Sequence, residues 1–237
     1  MDARRPPAAR IVPCIAGALI ALALMAPRPA MAGAWPRADG EGFASFHPPA
    51  ATIADDAGGP AGLGSLYAEF GATPVWTIGL DAARDGRDDA WTGLAFVRRH
   101  LWSGSEGDEI SAEIGLGYAS GDAGGDMRVR PGVSWGRGFA ADWGDGWLAF
   151  DAGAEMRGVS GAPILRADFT AGVHAADRLM LILQIQADRR PAEGSSARLA
   201  PSAVLEVGEG MHLQLSFSAG VVNDRSAKVT LGTWLEF

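Results

Sequence analysis

The sequence predicts an all-β fold: a closed antiparallel up-and-down transmembrane β-barrel of about twelve strands, within a range of roughly ten to fourteen. Three observations lead there. Apolar residues recur with period two, the side-chain period of a strand, along most of the chain. The alternating segments run to about 9–11 residues, the length a tilted strand needs to cross a bilayer. Clusters such as Gly121-Asp122-Ala123-Gly124-Gly125, Gly208-Glu209-Gly210 and Asn223-Asp224-Arg225-Ser226 separate them as turns.

The elements follow in chain order. Segments of weaker pattern fill the first half, at 40–46, 63–70, 75–82 and 91–101. In 109–119, Ile110, Ala112, Ile114, Leu116 and Tyr118 oppose Ser111, Glu113, Gly115 and Gly117. In 126–135, Met127, Val129, Pro131, Val133 and Trp135 oppose Asp126, Arg128, Arg130, Gly132 and Ser134. The strand from Trp147 sets Leu148, Phe150, Ala152, Ala154 and Met156 against Asp151, Gly153, Glu155 and Arg157. Segments 165–173 and 181–188 set Leu165, Phe169, Leu181, Leu183 and Ile185 against Arg166, Asp168, Gln184 and Gln186. Segments 198–207, 211–221 and 228–237 complete the twelve, with Leu213, Leu215 and Phe217 facing away from His212, Gln214 and Ser216. The stretch 137–146 breaks the pattern and is expected to hold a turn or a bent strand end, or to form a long periplasmic connection.

A soluble β-sandwich also alternates, but its strands have a mode of about 5–6 residues. Here the polar faces mix Arg, Asp and Glu within single strands, and no helix is expected to cover the apolar face. The interior of a barrel supplies water and opposite charges to such a face. Backbone groups in a bilayer must be satisfied within the protein, so the sheet must close. Trp76, Trp91, Trp102, Trp135, Trp147 and Trp234 fall near the expected strand ends, where aromatic girdles form.

The N-terminus carries Arg4, Arg5 and Arg10, then an apolar run over 11–26, then Ala30-Met31-Ala32 before Gly33. Basic, apolar and small-residue regions in that order make residues 1–32 a cleavable signal peptide and 33–237 the transmembrane barrel. The apolar run is shorter than the ~20 residues of a membrane-spanning helix. The single cysteine, Cys14, lies in the leader and precedes most of the apolar run, which rules out a disulfide scaffold. Cleavage removes four arginines and Asp2 from a chain of net charge −8, leaving about −11. A chain so acidic is unsuited to nucleic acid, which wants a basic face.

The chain ends Thr230-Leu231-Gly232-Thr233-Trp234-Leu235-Glu236-Phe237. Thr230, Gly232, Leu235 and Phe237 match, in order, the polar, glycine, hydrophobic and terminal aromatic positions of a C-terminal assembly signal. In this it resembles bacterial outer-membrane β-barrel proteins. The stretches Ala34-Trp35-Pro36-Arg37, Gly40-Glu41-Gly42-Phe43, Leu66-Tyr67-Ala68-Glu69-Phe70-Gly71 and Ile78-Gly79-Leu80 are similar to the start of small porin-like barrels of proteobacteria. The resemblance implies the outer membrane of a Gram-negative bacterium, lipid as surroundings and the barrel assembly machinery as partner. It names no substrate.

An even strand number puts both termini on the periplasmic side. Periplasmic turns are then expected at 72–74, 103–108, 137–146, 174–178 and 208–210. Outer loops are expected at 48–62, 83–90, 121–125, 189–196 and 223–227. The lumen-lining candidates are Glu69, Glu113, Arg128, Arg130, Asp151, Glu155, Arg157, Arg166, Asp168, Gln184, Gln186, Arg198, Glu206, His212 and Gln214. Eight strands leave a filled interior and sixteen to eighteen a wide channel, so twelve suggests a narrow one. Arg128, Arg130, Arg157 and Arg166 form a candidate basic ladder facing acids across the lumen, which would sort solutes by charge. The alternative is a lumen plugged by its own ion pairs, giving a structural or surface-binding barrel.

A barrel-type hydrolase is the third and weakest expectation. Of four histidines, His47, His100, His174 and His212, His47 falls in a loop and His174 in a turn. His212 shares a face with Ser216, but two places along a strand is about 7 Å. There is no nucleophile elbow, zinc-ligand spacing or phosphate loop. The chain is therefore expected to be no enzyme, to bind no cofactor or metal, to pass small solutes and to be a monomer. Asp55-Asp56, the acid run over 85–89 and Asp142-Trp143-Gly144-Asp145-Gly146 read as solvated loops and a turn rather than calcium sites.

Overall fold

The alternation becomes a ring of strands. The structure is a computed structural model and describes residues 33–49, 51–54, 63–85, 90–121, 124–142, 144–158, 161–191 and 193–237. The expected leader and most of the acidic loop residues lie outside those described. The strands are β1 (Gly42–His47), β2 (Ala51–Ala54), β3 (Leu63–Thr73), β4 (Trp76–Asp85), β5 (Trp91–Ser103), β6 (Asp108–Gly121) and β7 (Gly124–Ala141). They continue as β8 (Gly144–Arg157), β9 (Ile164–Ala176), β10 (Leu179–Arg190), β11 (Gly194–Gly208), β12 (Met211–Val222) and β13 (Ala227–Glu236).

From β3 to β13 each strand pairs antiparallel with the next, and β1 pairs with both β3 and β13. β1 and β2 are two pieces of one stave. Phe43 to Phe46 pair with Glu236 to Thr233, and β2 continues along β13 by pairing with Val229 to Ala227. Pro48 and Pro49 interrupt it, since proline has no N–H to give a ladder. The fold is therefore a closed up-and-down barrel of twelve antiparallel strands. Closure uses the last residue: Gly42 N donates to Phe237 O at 2.6 Å and Phe237 N to Gly42 O at 3.1 Å. A Cβ on Gly42 would run into the Phe237 ring, so the glycine makes room for the terminal aromatic.

One face of the wall is apolar and open. Along β12, Met211, Leu213, Leu215 and Phe217 are 40–56% exposed, while His212, Gln214 and Ser216 on the other face are only partly so. Leu66, Phe70, Ile78, Leu80, Leu181, Leu183 and Ile185 repeat the pattern around the ring. An apolar surface so continuous is untenable in water and matches the lipid-facing band of a membrane barrel. Two prolines sit inside strands, and each coincides with a gap in one ladder. The β7–β8 pairing skips Arg130 and Pro131, and the β11–β12 pairing skips Ala200 and Pro201.

Several expectations need correction. The stretch 137–146 is no long connection: β7 runs to Ala141 and β8 starts at Gly144. Gly136, Gly138, Gly144 and Gly146 leave too few side chains to show a period there. The strands other than β1 and β2 are 10–18 residues long, so several exceed what a bilayer needs. Trp147 and Trp234 do not join a girdle. They lie on the inner face, 2% and 9% exposed. Trp76, Trp91 and Trp102 are exposed on the outside, with Arg99 5.4 Å above the Trp76 ring. His174 belongs to β9 rather than to a turn, with its ring 5.7 Å from Trp147. His47 ends β1 and turns inward.

Candidate functional site

The inner face is built by the residues that alternate with the lipid-facing ones, and it divides into three parts. The first is a charge network on β3 to β7. Glu69 accepts from Arg37 Nε at 2.8 Å, from Arg98 Nη1 at 2.6 Å and from the Tyr67 hydroxyl. Arg98 Nη2 reaches Glu113 at 2.8 Å and the Tyr67 oxygen at 3.1 Å. Arg130 joins Asp81 at 2.6 Å and Glu113 at 3.4 Å. Glu69 and Arg98 are each only 5% exposed, and such charges are tolerable only when paired and hydrogen-bonded.

The segment 33–41 folds into this side of the lumen. Ser111 Oγ donates to Ala34 O at 2.6 Å, and Arg37 N donates to Thr77 Oγ1 at 3.3 Å. Ala34 is fully buried. A Cβ on Gly136 would meet the Trp35 ring and Ala34, and one on Gly71 would meet the Ala38 carbonyl. Glycine on the inner face of β3 and β7 thus lets the segment lie against the wall. Gly33 reaches as far as Ser134 and Asp151, which hydrogen-bond each other at 2.5 Å.

The second part gathers cations near the end opposite the termini. Arg128, Arg157 and Arg166 converge on Glu155 at 3.1, 3.5 and 3.0 Å. These arginines do not form a ladder facing acids across the lumen. They share one acid at their own rim, and Arg130 belongs to the deeper network. In the loop at 223–226, Arg198 binds Asp224 through both Nε, at 3.2 Å, and Nη2. Partial burial opposes ionisation of Asp224. Hydrogen bonds from Ser226 and the Arg198 charge outweigh it and lower the carboxyl to about 2. These two residues help line a cavity of about 360 Å³ with Asp188, Arg190 and Glu193.

The third part, on β9 to β13, is mostly uncharged, with Asp168, Glu206 and His212 set among amides and hydroxyls. Gln184 Nε2 donates to Thr170 Oγ1 at 3.2 Å, and Gln186 Nε2 to Gln184 Oε1 at 3.4 Å. Gln214 Oε1 accepts from Trp234 Nε1 at 2.8 Å and lies 2.8 Å from His47 Nε2, while Gln214 Nε2 donates to Ser202 at 3.1 Å. The His47 ring occupies the space that a Cβ on Gly232 would need. Glu206 pairs across the ladder with His212, whose ring is 6.2 Å from Trp234. Asp168 stands directly opposite Asp151 across the β8–β9 pair.

One constellation was not foreseen from the sequence. His100 Nε2 lies 2.9 Å from Ser103 Oγ, and Ser103 donates to Glu109 at 2.7 Å. A catalytic triad needs the acid on the other ring nitrogen, so that the imidazole takes the serine proton. Here Glu109 is 3.3 Å from the same Nε2, and buried Nδ1 has no partner among the described residues. The serine proton already goes to Glu109, so nothing activates the hydroxyl. No hydrogen bond joins His212 to Ser216. Among the described residues no three His, Cys, Asp or Glu are grouped to hold a metal. Arg37, Tyr67, Asp81, Arg98 and Thr77 were not among the lumen candidates, while Ser111 and Ser134 were set on the polar face by period but given no role. Arg98 escaped because its inner-face neighbours on β5, Leu94 and Phe96, are apolar.

No family model and no curated protein matches the chain. Solved structures do. A KdgM porin superposes with a TM-score of 0.60 at 8% identity, over 83% of this chain and 99% of the porin. A NanC porin gives 0.54 at 10% identity, over 82% and 98%. An outer-membrane channel from Pseudomonas putida F1 gives 0.55 at 11% identity, over 89% and 100%. At such identities the likeness is one of fold: the chain shares with these structures a closed barrel of antiparallel strands.

Proposed function

We propose that the protein is a narrow porin-like channel for small solutes in the outer membrane of a Gram-negative bacterium, a monomer delivered by its leader. The barrel assembly machinery would read Thr230, Gly232, Leu235 and Phe237, and no cofactor is needed. The observation that carries this is the neutral wall of β9 to β12. Thr170, Gln184, Gln186, Ser202, Gln214 and Ser216 offer short or uncharged hydrogen-bonding groups, as a wetted passage requires. Segment 33–41 and the ion pairs crowd the opposite wall, so the passage is off-centre and constricted. The porin folds that superpose on the chain support the same reading.

The test is single-channel conductance of refolded residues 33–237 in a planar bilayer. Small discrete steps are expected, with a preference for anions that falls when Arg128, Arg157 and Arg166 are changed to Gln. Silence from a folded, inserted barrel would sink the channel reading. It would favour the second one, a non-conducting barrel sealed by segment 33–41 and the Glu69–Arg98–Glu113 network.

A further inference from the structure

Segment 33–41 enters the lumen with Gly33 deepest on the β7–β8 wall. A Cβ built on Gly33 would stand 2.9 Å from Asp151 Oδ1, 2.9 Å from Ser134 Oγ and 3.4 Å from Arg98 Cζ. The nitrogen of Gly33 is bonded to the same Cα and lies about 2.5 Å from that Cβ position. By those two distances it lies at most about 5.4 Å from Asp151 Oδ1, a range over which opposite charges attract. The signal-peptide pattern places cleavage at this same nitrogen, after Ala30-Met31-Ala32.

We propose that Asp151 and Ser134 form a binding site for the chain's own new N-terminus: processing creates a Gly33 α-ammonium, which pairs with Asp151 and latches segment 33–41 into the lumen. Hydrolysis of the Ala32–Gly33 peptide bond leaves the oxygen of water on the Ala32 carboxylate and both of its protons on the Gly33 nitrogen. In the precursor that nitrogen is an uncharged amide, so the latch exists only after cleavage.

The surroundings call for such a cation. Asp151 faces Asp168 directly across the β8–β9 pair, and like charges so placed repel. The nearest guanidinium, Arg98, is already held by Glu69 and Glu113. Ser134 donates its proton to Asp151 and so leaves its own oxygen free to accept from the ammonium. The ammonium would also lie near Arg98, and the two carboxylates on Arg98 reduce that repulsion.

Amine chemistry tests this cleanly, because the chain has a single lysine, Lys228. Protein expressed with its leader is purified from membranes, and its mass must correspond to a start at Gly33. A different start overturns the proposal. The folded barrel is then treated with limiting N-hydroxysuccinimide acetate near neutral pH, with Lys228 as internal reference. The Gly33 amine is expected to react about tenfold more slowly than in the urea-unfolded chain, the effect of roughly one pKa unit. Asp151→Asn is expected to restore most of the rate. Equal reactivity folded and unfolded, or slow reaction retained in D151N, overturns the site. If D151N does not fold, three residues inserted between Ala32 and Gly33 move the amine away from Asp151. Fast acylation is then expected, and slow acylation again overturns it. The readout does not use conductance, so a silent barrel leaves it interpretable.

Discussion

The wall of β3 to β8 and the wall of β9 to β12 enclose the same lumen and differ in kind. The first carries Glu69, Asp81, Arg98, Glu113, Arg130 and Asp151, with segment 33–41 packed against them. The second carries mainly glutamine, serine and threonine, with Asp168 and Glu206 among them and charge pairs at its outer rim. Both alternate with lipid-facing apolar residues, and each keeps a buried nitrogen without a partner among the described residues, Arg98 Nε on the first and His212 Nδ1 on the second. The difference is what would be lost on removing a side chain. On the first wall a deletion leaves a buried charge alone. On the second it leaves a neutral group that water can serve. One ring of strands therefore combines a half whose ion pairs hold the N-terminal segment with a half along which, on the proposed channel reading, a solute would pass.

The largest effect should come from breaking the charge network. Arg98→Met leaves Glu69, 4% exposed at its side chain, with Arg37 as its one remaining ion-pair partner among the described residues. Removing one partner of a buried pair costs about 3–5 kcal/mol. The midpoint of urea unfolding in detergent should fall strongly, whereas Gln184→Ala on the neutral wall should barely move it. Equal effects would erase the contrast between the walls.

Next in size is the segment itself. Deleting residues 33–39 should roughly double conductance or more, because it widens the constricted side of the passage. Gly136→Val should move conductance in the same direction with the chain otherwise intact, since a Cβ there runs into the Trp35 ring. If truncation raises conductance and Gly136→Val does not, the segment holds its place without the β7 glycine.

The ring of strands was legible because a lipid-facing surface must be apolar at every second residue. The pattern failed where glycines replaced side chains, at the β7–β8 hairpin. The lumen was half legible. Glu113, Arg128, Arg130, Asp151, Glu155 and Gln184 were placed by period alone. Their partners were not, because cross-strand register and long side chains decide which acid each arginine meets. Thus Arg157 and Arg166 turned to Glu155 along the rim instead of across the lumen. Segment 33–41 carried no period to read. It touches β3, β4, β6, β7 and β8 at scattered points, so its place depends on the assembled wall. Trp147 and Trp234 show the same limit, since a tryptophan near a strand end looks alike whether it faces lipid or lumen.

The smallest expected effect lies at the outer loop of the neutral half, and it shows that this half is not free of charge pairing at its rim. Asp224 has a carboxyl lowered to about 2 by Ser226 and Arg198 against the opposing effect of partial burial. Its folded value is below the unfolded one. The pair therefore adds stability above the ordinary carboxylate range near pH 4 and loses it as pH falls through about 2. The pair sits at the mouth with Arg198 36% exposed, so the gain is screened and small. A carbon-detected NMR titration of Asp224 in micelles should place its inflection near 2, and Arg198→Gln should move it up toward 4. An inflection that stays put in the variant would mean that the Ser226 hydrogen bonds hold the carboxylate unaided. Arg198 would then be free to meet solute at the mouth, and the neutral half would have a cation of its own.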